Sequence, residues 1–505
     1  MNCIIRLLPE RVGGIGPTRQ LRQSSNEMGR NMNLLAALQD IVGTDHVLTG
    51  TAAQPYLTDW RGRYTGQALA VVRPGSAEQV AQVVRACVAH QVPMVPQGGN
   101  TGLCGGATPD GQGNSVVIAL TRLNRVLQVD TADDTITVQA GCTLREVQQA
   151  ALEADRLFPL SLAAEGSCTI GGNLATNAGG TQVLRYGNTR DLTLGLEVVT
   201  ADGEIWHGLR GLRKDNTGYD LRDLYIGSEG TLGIITAATL KLYPQPIARC
   251  TAMLAFNDMP AAARMLARAR KGFGAALTGF ELISHYCLDS VTRQFEQLKW
   301  PFDESGRQCP WYALLEISDS ESVEHARERF EAVVGQAIED GEVVDAVIAA
   351  SIAQSNELWH LRESIPLAEK QMGKNIKHDV SIPVSRMADF VEQTNAHLQA
   401  AFAGVRHIVF GHLGDGNLHY NVAAPAGSDE TAFLRLQPQV HRLVHDSVHA
   451  FGGSISAEHG VGQLKKDLLP LYKSDVELAL MRRIKRALDP HVLMNPGKVI
   501  NTADI

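Results

Sequence analysis

The sequence predicts a mixed α and β protein (class α+β) of two or three domains, with a glycine-rich N-terminal half. Three observations lead to this prediction. The chain has 505 residues, more than a single hydrophobic core normally serves. Residues 68–96 show a strand, helix, strand pattern, and residues 250–350 alternate strand-like and helical runs. Between these regions lie three glycine-rich segments, at 97–106, 166–180 and 228–235.

Composition and charge exclude several classes of protein. The chain is 44% hydrophobic and 20% charged, with a formal net charge of −8. A nucleic-acid-binding protein would usually present a basic face instead. No uninterrupted apolar stretch approaches the roughly 20 residues of a membrane helix. We therefore expect a soluble protein without a transmembrane segment and without a nucleic-acid partner.

The eight cysteines and the N-terminus bear on the cellular compartment. No two cysteines form a CxxC pair, which in so large a chain favours reduced, mostly buried thiols in a cytosol-like compartment. The first 32 residues contain five arginines and two glutamates without clear periodicity. A mitochondrial presequence is one interpretation and would place the protein in the matrix. We favour the other, a disordered extension of a cytoplasmic protein whose folded part begins near Met32.

The N-terminal half is predicted to begin with a βαβ unit. Ala68 to Val72 and Val92 to Val95 are short apolar strands. Ser76-Ala77-Glu78-Gln79 between them has the form of a helix capping box, and apolar residues follow it at helical spacing. The glycine-rich loop 97–106 comes directly after the second strand. Such a loop lets backbone N–H groups close around an anionic group such as a pyrophosphate.

The other two glycine-rich segments strengthen the case for a cofactor. Residues 166–180 are small enough to let the backbone approach a bulky planar ligand, and their Ser, Thr and Asn side chains can donate hydrogen bonds. Residues 228–235 run from a turn into a strand. The chain contains neither a GxGxxG fingerprint nor a Walker A sequence. Three such segments in one half of the chain favour an extended nucleotide cofactor over coincidence.

The stretch GHLGDGNLH, residues 411–419, predicts a hairpin with a histidine on each arm. Asp415-Gly416 is a typical two-residue turn, because a primed turn needs positive φ at both central residues. In that register His412 faces His419 directly, with Cβ atoms about 5 Å apart. Two imidazoles so placed can bind one metal ion. The alternative is a cross-strand stack of two core histidines.

Together these stretches resemble the FAD-dependent D-2-hydroxyacid dehydrogenases of the vanillyl-alcohol-oxidase (PCMH-type FAD-binding) superfamily. The D-2-hydroxyglutarate dehydrogenases are the nearest, with the D-lactate and glycolate dehydrogenases next. The resemblance covers nearly all of residues 33–500 and depends on six motifs in family order. These are PQGGNTGL at 96–103, GGNLATNAGG at 171–180, GSEGTLGIIT at 227–236, GHLGDGNLH at 411–419, SAEHGVG at 456–462 and NPGK at 495–498.

The resemblance implies a domain organisation. A two-subdomain PCMH-type FAD-binding domain would occupy residues 33–246, and an α+β cap domain with the substrate site residues 247–455. A C-terminal segment, 456–505, would return to the flavin and complete the active site. FAD is expected to be non-covalent. The 97–103 loop has no histidine for a histidyl link, and similar dehydrogenases that carry a cysteine at the position of Cys168 do not use it as a link.

The resemblance also implies which residues bind FAD. The first glycine loop would wrap the pyrophosphate, and the other matched positions would line the rest of the cofactor. The implied FAD-binding residues are Pro96, Gly98, Gly99, Asn100, Thr101, Gly102, Gly166, Ser167, Gly171, Asn173, Thr176, Gly230, Ile235 and Asn495.

By the same resemblance His412, His419 and Glu458 match a metal-ligand set that is usually assigned to zinc. Two imidazoles and one carboxylate leave an open coordination position, as in catalytic sites, although manganese or ferrous iron also fits these ligand types. His459 matches the general base, and a neutral imidazole with a pKa near about 6.5 suits proton removal at neutral pH. The alternative is that His459 only orients the site.

Arg362, Lys377, Asn421 and His459 match substrate-binding positions. A guanidinium can bind a carboxylate with two hydrogen bonds, and an ammonium adds a positive charge. Ordinary surface ion pairs are the alternative for Arg362 and Lys377. The chain departs from the hydroxyglutarate enzymes at Pro366, where threonine is usual, and His378 stands where tyrosine is common. Pro366 removes a hydroxyl and a backbone donor.

The expected activity is the oxidation of a D-2-hydroxyacid to the 2-oxoacid by hydride transfer from C2 to flavin N5. D-2-hydroxyglutarate is the favoured substrate, with D-lactate, glycolate or another D-2-hydroxyacid as the alternative. The electron acceptor would be an electron-transfer flavoprotein, a quinone or a cytochrome, and the protein a homodimer. Three alternatives remain open. The first is an O2-using oxidase of the same superfamily, the second a zinc hydrolase or metal-binding module built on the hairpin, and the third a non-catalytic flavin-binding protein.

Overall fold

The computed structural model describes residues 31–502 and residue 505. The predictions made for the arginine-rich N-terminus fall almost entirely on residues 1–30, outside the described residues. Residues 31–42 are helical, which agrees with a folded part beginning near Met32. The described part of the chain has no helix that is both long and apolar enough to cross a membrane.

The first sheet is small and mostly parallel. The helix Ala77–His90 begins at Ser76, whose hydroxyl accepts from the Gln79 N–H. The Gln79 side chain accepts from the Gly75 N–H instead of completing the predicted capping box. The βαβ unit is present, but its two strands are not neighbours. The strand Val116–Ala119 lies between them and pairs in parallel with both. The spatial order is Val47–Leu48, Ala70–Val72, Val116–Ala119, Met94–Gln97.

The second sheet is antiparallel and has five strands. Its central strand, Gly233–Lys241, starts within the third glycine-rich segment, so this segment is held at the end of a fully paired strand. A two-stranded ladder, Arg156–Leu157 with Tyr243–Pro244, lies beside it. The spatial order of the five strands is Val126–Asp130, Thr135–Gln139, Gly233–Lys241, Thr193–Thr200, Ile205–Gly208.

The third sheet is antiparallel, has eight strands and occupies the C-terminal half. Alternate residues of its strands point into two separate hydrophobic cores, one on each face, each covered by helices. Six strands lie in the order Asp345–Ile348, Ala248–Phe256, Trp311–Asp319, Leu277–Ser284, Arg406–His412, Asn417–Ala423. The short strands Asn375–Ile376 and Asp379–Ser381 both pair with the last of these.

Helices surround the three sheets. Their bounds are 31–42, Ala77–His90, Leu144–Glu153, Ile170–Thr176, Val183–Tyr186, Arg222–Tyr225, Met259–Phe273, His285–Gln294, Glu304–Arg307, Val323–Glu339, Ile352–Glu363, Ile365–Gln371, Met387–Ala401, Glu430–Leu434, Gln437–Ala450, Leu469–Tyr472 and Asp475–Leu488. The seven described cysteines are all free, and six are buried.

The predicted register of the histidine hairpin is wrong by two residues. His419 faces Phe410, and His412 instead pairs with Glu281 of the neighbouring strand. Of the two expected turn residues, only Gly416 has a positive φ, 90°, so the primed turn does not form. A longer loop forms instead, in which the Gly416 N–H donates to the His412 carbonyl. A shift of two residues keeps each side chain on the same face of a strand. The two imidazoles therefore still meet, with ring centroids 5.8 Å apart.

The C-terminal segment returns to the first sheet. Met94 and Asn495 form backbone hydrogen bonds in which the Met94 N–H donates to the Leu493 carbonyl and the Asn495 N–H donates to the Met94 carbonyl. The chain end therefore lies along the free edge of the strand Met94–Gln97, directly before the first glycine loop. This return brings residues from both halves of the chain to one place.

Candidate active site

A glycine-lined groove runs between the first two sheets. It is formed by the loop after strand Met94–Gln97, the short helix Ile170–Thr176 and the start of strand Gly233–Lys241. Eleven of the fourteen predicted FAD-binding residues line it, namely Pro96, Gly98, Gly99, Asn100, Thr101, Gly102, Gly171, Asn173, Thr176, Gly230 and Ile235. The three glycine-rich segments thus meet in space as predicted.

The other three predicted FAD-binding residues lie close by. Gly166 and Ser167 line an adjoining cavity that shares part of the first glycine loop with the groove. Asn495 lies behind the groove, where its amide donates to the carbonyls of Gly106 at 2.9 Å and Glu229 at 2.8 Å. Asn495 therefore joins the chain end to the first and third glycine-rich segments.

The groove fits a nucleotide cofactor. A Cβ on Gly98 would lie 2.3 Å from Thr169 Oγ1, and one on Gly99 would lie 1.9 Å from the Ser167 carbonyl oxygen, so the two glycine segments touch without room for side chains. A Cβ on Gly102 would meet nothing within 4 Å, so the loop is open there. Within the described chain, the buried Thr169 hydroxyl, which lines the groove, has no hydrogen-bond partner. An open loop beside a free buried hydroxyl suits a polar ligand.

Cys168 does not have the environment of a reactive thiol. It is buried, its sulfur accepts from Asn173 Nδ2 at 3.6 Å, and burial raises the pKa of the thiol. The described residues that line the groove do not include it. These features agree with the prediction of non-covalent FAD.

Glu229, which sequence reasoning did not single out, fastens the C-terminal segment to the groove. Its two carboxylate oxygens accept from the backbone N–H groups of Val461 at 2.7 Å and Gly462 at 2.8 Å. Burial raises the pKa of this carboxyl, and the two backbone donors oppose the rise. The contact holds residues 460–462, and with them His459, against the cofactor groove.

Replacing Glu229 with alanine should lower the free energy of unfolding by about 3 kcal/mol, because two buried N–H groups lose a charged acceptor. Urea unfolding followed by circular dichroism measures the effect. Glu204→Ala, at a glutamate whose side chain is 77% exposed, is the control and should change stability by less than about 0.5 kcal/mol. Equal effects of the two substitutions would contradict the role given to Glu229.

The three predicted metal ligands converge. Glu458 Oε1 lies 3.2 Å from His412 Nε2 and 3.8 Å from His419 Nε2, and one ligand atom from each residue lies within 4.8 Å of the others. Ligands of tetrahedral zinc, each about 2.0–2.1 Å from the ion, are about 3.3 Å apart. The separations are therefore close to those of a site that holds a divalent ion.

Glu281 and Arg362 stand behind these ligands. Glu281 Oε1 lies 2.6 Å from His412 Nδ1, and Glu281 Oε2 accepts from Arg362 Nε at 2.9 Å. Because Nδ1 of His412 faces a carboxylate, Nε2 is the nitrogen left to bind a metal. A carboxylate that accepts from the other ring nitrogen is the usual support of a metal-bound histidine. Arg362 was predicted to bind substrate, but it is 6% exposed and its guanidinium lies over the Phe410 ring. The structure places it behind the three predicted metal ligands, and it is not among the described residues that line the groove.

The electrostatics of the cluster also fit a cation. Burial lowers the pKa of His412, but Glu281 and Glu458 outweigh burial and hold that pKa well above its usual value. Burial lowers the pKa of His419 to about 3. Burial would raise the pKa of Glu458, but His412 outweighs it and lowers that pKa to about 2. The two carboxylates would also stabilise a cation held by these three residues.

His459 lies beside the metal cluster and is oriented by Asp379. Its ring stacks at 18° on the ring of His419, and its Nδ1 lies 3.5 Å from Asp379 Oδ2. Asp379 Oδ2 also accepts from the backbone N–H groups of Glu458 at 3.0 Å and His459 at 2.9 Å. Burial lowers the pKa of His459. With Nδ1 facing a carboxylate, Nε2 is the nitrogen left to take a proton.

Lys377 and Asn421 meet at another buried acid, Glu369. Lys377 Nζ donates to Glu369 Oε2 at 2.8 Å, and Asn421 Nδ2 donates to Glu369 Oε1 at 2.6 Å. The Asn421 oxygen accepts from the His378 N–H, so this amide is largely engaged within the protein. Lys377 lines the cavity described next. Pro366 is exposed in the first turn of helix Ile365–Gln371, where the missing N–H is tolerated.

A basic cavity of about 700 Å³ opens beside the groove. His459, Leu103 and Cys104 line both spaces, so the cavity and the groove meet at His459. The cationic side chains in the cavity wall are Arg61, Arg63, Lys377, Arg435, Arg442 and Lys465, against the two carboxylates Asp379 and Asp467.

Three histidines in the cavity wall are neutral. His378 Nδ1 donates to the Tyr420 carbonyl at 2.8 Å, and His378 Nε2 then accepts from His441 Nδ1 at 2.8 Å. The Gln437 amide donates to His441 Nε2 at 3.0 Å, which completes a consistent set of tautomers. Burial lowers the pKa of His441 to about 4 and that of His445 to about 3. The positive charge of the cavity therefore comes from its arginines and lysines.

Comparison with known proteins gives two family matches and a set of relatives. Residues 68–208 match the family "FAD binding domain", and residues 245–499 match "FAD linked oxidases, C-terminal domain". The D-2-hydroxyglutarate dehydrogenase of Xanthomonas citri pv. viticola is 42% identical, covering 89% of this chain and 93% of the relative. The mitochondrial D-2-hydroxyglutarate dehydrogenase of Rattus norvegicus is 38% identical, with 92% and 84% covered. The enzyme of Stutzerimonas stutzeri with the same name is 36% identical, with 92% and 98% covered.

The chain belongs to the D-2-hydroxyglutarate dehydrogenase family. As a member of this family of FAD-dependent oxidoreductases it takes FAD as its cofactor, and the matched FAD-binding region contains the first two glycine-rich segments. The predicted family is thereby confirmed. Named members of the family include mitochondrial and bacterial proteins.

Solved structures confirm the predicted fold class. p-Cresol methylhydroxylase with substrate bound aligns with a TM-score of 0.72 at 17% identity, covering 94% of this chain and 98% of that one. Alkyldihydroxyacetonephosphate synthase aligns with a TM-score of 0.69 at 16% identity, covering 92% and 84%. At such identities the likeness concerns the fold alone.

Besides Glu229, three buried acids of this D-2-hydroxyglutarate dehydrogenase family member were not singled out from the sequence. Glu281 orients His412, Glu369 holds Lys377 and Asn421, and Asp379 orients His459. One signal was present, because Glu281 interrupts an apolar strand, and a buried charge needs a partner. The partners themselves lie up to 131 residues away in the chain.

Proposed function

We propose that the protein oxidises D-2-hydroxyglutarate to 2-oxoglutarate, with FAD as hydride acceptor and a divalent metal, zinc first, held by His412, His419 and Glu458. The observation that supports this most is the junction of a basic cavity with the FAD groove at His459. The names of the relatives point to the same substrate. We also propose an FAD-binding domain at 33–246, a cap domain at 247–455 and a closing segment at 456–505.

The charge of the cavity favours a dicarboxylate over a monocarboxylate. Six cationic side chains against two carboxylates line the cavity, and the wall stays positive because, in the described part of the chain, only Lys377 and Arg442 are paired, with Glu369 and Asp446 behind them. Opposite charges attract. D-2-hydroxyglutarate carries two carboxylates, whereas D-lactate carries one. Lys377 faces the cavity although Glu369 already pairs with it. The cavity therefore suits the larger dianion.

His459 is proposed as the base that removes the proton of the substrate hydroxyl. Its Nδ1 faces Asp379, so Nε2 is free to accept the proton, and Asp379 stabilises the positive charge that the ring gains. FAD, when bound, supplies N5 as the acceptor of the hydride from C2. The two-electron oxidation thus converts the hydroxyl-bearing carbon into a ketone, and His459 holds the proton of the former hydroxyl.

The metal cluster is proposed to bind the hydroxyl end of the substrate. A divalent ion supplies Lewis acidity, which lowers the pKa of a hydroxyl that it contacts. Glu281 holds His412 by Nδ1, and Arg362 neutralises Glu281 from the other side. These residues keep the ligands in place before substrate arrives.

The electrons then leave the flavin for an acceptor, which we propose to be an electron-transfer flavoprotein, a quinone or a cytochrome. We propose a cytoplasmic location and a homodimer. An oxidase that reduces O2 is the second candidate function, since relatives of the same fold include the 4-ethylphenol oxidase from Gulosibacter chungangensis, with a TM-score of 0.70 at 17% identity over 94% of this chain and 98% of that one. Comparison of O2 consumption with the reduction of an artificial dye separates the two.

An anaerobic reduction experiment tests the proposal. The zinc-loaded protein is mixed with D-2-hydroxyglutarate, and flavin absorbance is followed near ~450 nm, a property of the cofactor. We expect rapid bleaching with the D-isomer, none with the L-isomer and slower bleaching with D-lactate. Removal of metal with a chelator should slow the bleaching, and added zinc should restore it.

Two results would contradict the proposal. Bleaching with D-lactate but not with D-2-hydroxyglutarate would move the enzyme to the alternative substrate. Bleaching that is unaffected by complete metal removal, checked by elemental analysis, would refute the metal's part while leaving the flavin chemistry intact.

A further inference from the structure

A second cluster of histidines lies in the wall of the basic cavity, separate from the three proposed metal ligands. His378 lies directly before the strand Asp379–Ser381. His441 and His445 are four residues apart on the helix Gln437–Ala450, and residues at that spacing share one face of a helix. One ring nitrogen of each histidine lies within 4.8 Å of the other two. Three imidazoles that converge in this way form a ligand set that suits zinc.

His378 is oriented as a metal ligand. Its Nδ1 donates to the Tyr420 carbonyl at 2.8 Å, which leaves the lone pair of Nε2 for a partner. A backbone carbonyl that accepts from the other ring nitrogen is a usual support of a metal-bound histidine. His378 Nε2 and His441 Nδ1 lie 2.8 Å apart. Ligand atoms of tetrahedral zinc are about 3.3 Å apart, so these two nitrogens need to separate by about 0.5 Å to hold an ion.

His441 has a neighbour that supports its ring with or without a metal. Binding of a metal at Nδ1 requires the proton of this ring on Nε2. The Gln437 side-chain amide lies 3.0 Å from His441 Nε2, and a half-turn of that amide presents its oxygen as the acceptor of this proton. The change of tautomer therefore costs no hydrogen bond at Nε2.

His445 has a buried nitrogen in need of a partner. The residue is 4% exposed, and within the described chain its Nδ1 has no hydrogen-bond partner. Buried polar atoms without a partner are rare in folded proteins, and a bound ion is one of the groups that satisfy them. The His445 ring lies 5.4 Å from the His441 ring and 5.5 Å from the His378 ring, measured between centroids. His445 thus completes the set of three.

The charge around the cluster determines what else the ion takes. Burial lowers the pKa of all three imidazoles, and the positive charge of Lys465 lowers it further. The rings are therefore neutral, which is the form that binds a metal. Their neutrality also leaves the charge of the ion unbalanced, so an anion from the cavity, such as hydroxide, is expected to take the fourth position. We expect weaker binding than at the site that contains Glu458.

We propose that His378, His441 and His445 bind a second divalent metal ion of the zinc type, separate from the ion proposed for the active site. The ion joins the helix Gln437–Ala450 to the chain segment at His378 and so stabilises one wall of the cavity. This inference does not depend on which hydroxyacid the protein oxidises, because it concerns the ligands alone.

The zinc content of the protein tests the proposal. The FAD-loaded protein is freed of metal with a chelator, dialysed to equilibrium against micromolar zinc and submitted to elemental analysis. We expect about two zinc ions per chain in the unmodified protein and one fewer in His445→Gln. This substitution removes a ligand, and the Nδ1 that it removes has no hydrogen bond to lose. His412→Gln should also bind one ion fewer, and the double variant none.

A thermal measurement shows that the second ion binds the folded protein. In His412→Gln the remaining ion is the one at the three histidines. Zinc should raise the melting temperature of this variant, because an ion that binds only the folded state stabilises it. Zinc should not raise the melting temperature of the double variant His412→Gln with His445→Gln.

His449→Gln is the matched control. His449 lies one turn beyond His445 on the same helix, is exposed and does not line the cavity. This variant should keep the full zinc content. If His445→Gln does not fold, His441→Gln measured in the same way decides the question.

Two results would overturn the inference. One is an unchanged zinc content in His445→Gln. The other is an equal loss in His449→Gln, which would show that these two histidines hold zinc as a pair on the surface of the helix. The comparison is a difference of one ion, so it remains valid even if the active-site ligands bind no zinc. A failure of the proposed function is distinct, because it appears as flavin that D-2-hydroxyglutarate does not reduce.

Discussion

Replacing His459 with glutamine should slow flavin reduction by D-2-hydroxyglutarate by about 10²–10⁴-fold, the usual contribution of a general base. The substitution removes the nitrogen that takes the hydroxyl proton and keeps a polar side chain of similar size. Anaerobic stopped-flow measurement of flavin bleaching gives the rate directly. FAD content and zinc content should not change, because neither the groove glycines nor the three metal ligands are altered.

His397→Gln, at an exposed histidine on helix Met387–Ala401, is the control and should keep the full rate. A loss of less than about tenfold in His459→Gln would show that another group removes the proton and that His459 only orients the site. Loss of zinc in the variant would instead make its effect indirect. The metal content therefore has to be measured with the rate.

Replacing Glu281 with glutamine should have two separate effects. Zinc affinity should fall by about 10–100-fold, because the carboxylate that orients His412 is lost. The free energy of unfolding should fall by about 3–5 kcal/mol, because Arg362 is left buried without a counter-charge. Competition with a chelator measures the first effect, and urea unfolding of the metal-free protein measures the second.

A double variant, Glu281→Gln with Arg362→Met, separates these roles. Removal of the orphaned guanidinium should restore part of the lost stability but none of the lost zinc affinity. If zinc affinity is unchanged in the single variant while stability is lost, Glu281 serves the fold alone. If neither changes, the pairing of Glu281 with His412 and Arg362 has no energetic role.

The cofactor groove was predictable from the sequence to a large extent. Glycines such as Gly98 and Gly99 can be interpreted without knowing the fold, because they indicate places where a side chain does not fit. A side chain there would collide with the backbone or hydroxyl of 167–169. A glycine-rich segment therefore indicates close backbone approach in whatever fold it occurs. The prediction that the three segments form one groove followed from a single assumption, that all three contact the same ligand.

His412, His419 and Glu458 lie together in the structure, although the hairpin register predicted for the two histidines was wrong. The register depends on the backbone angle of Asp415, which the residue type does not determine, and so the hairpin came out two residues away from expectation. Because side chains alternate faces with a period of two, a shift of two residues still leaves His412 and His419 on the same face of the sheet. Pairs such as Glu281 with Arg362, 81 residues apart, depend on strand order, which no local pattern contains.

The substrate side was the least predictable part. Arg362 has the residue type of an anion-binding group, but its role depends on which carboxylate lies beside it in the fold, and that carboxylate is Glu281. Lys465 looks like an ordinary lysine in a charged stretch, and only its burial distinguishes it from Lys466. Burial of a single side chain is a property of the whole fold.

The return of the C-terminal segment has a consequence for biosynthesis. Glu458 and His459, together with residues 493–495 that contact the strand edge at Met94, are synthesised well after the N-terminal half. The N-terminal half can fold as it emerges from the ribosome, but its groove lacks one wall until residues 456–495 have been made. A nascent chain or a fragment truncated before residue 456 is therefore expected to have no oxidising activity, so a half-made protein cannot reduce flavin.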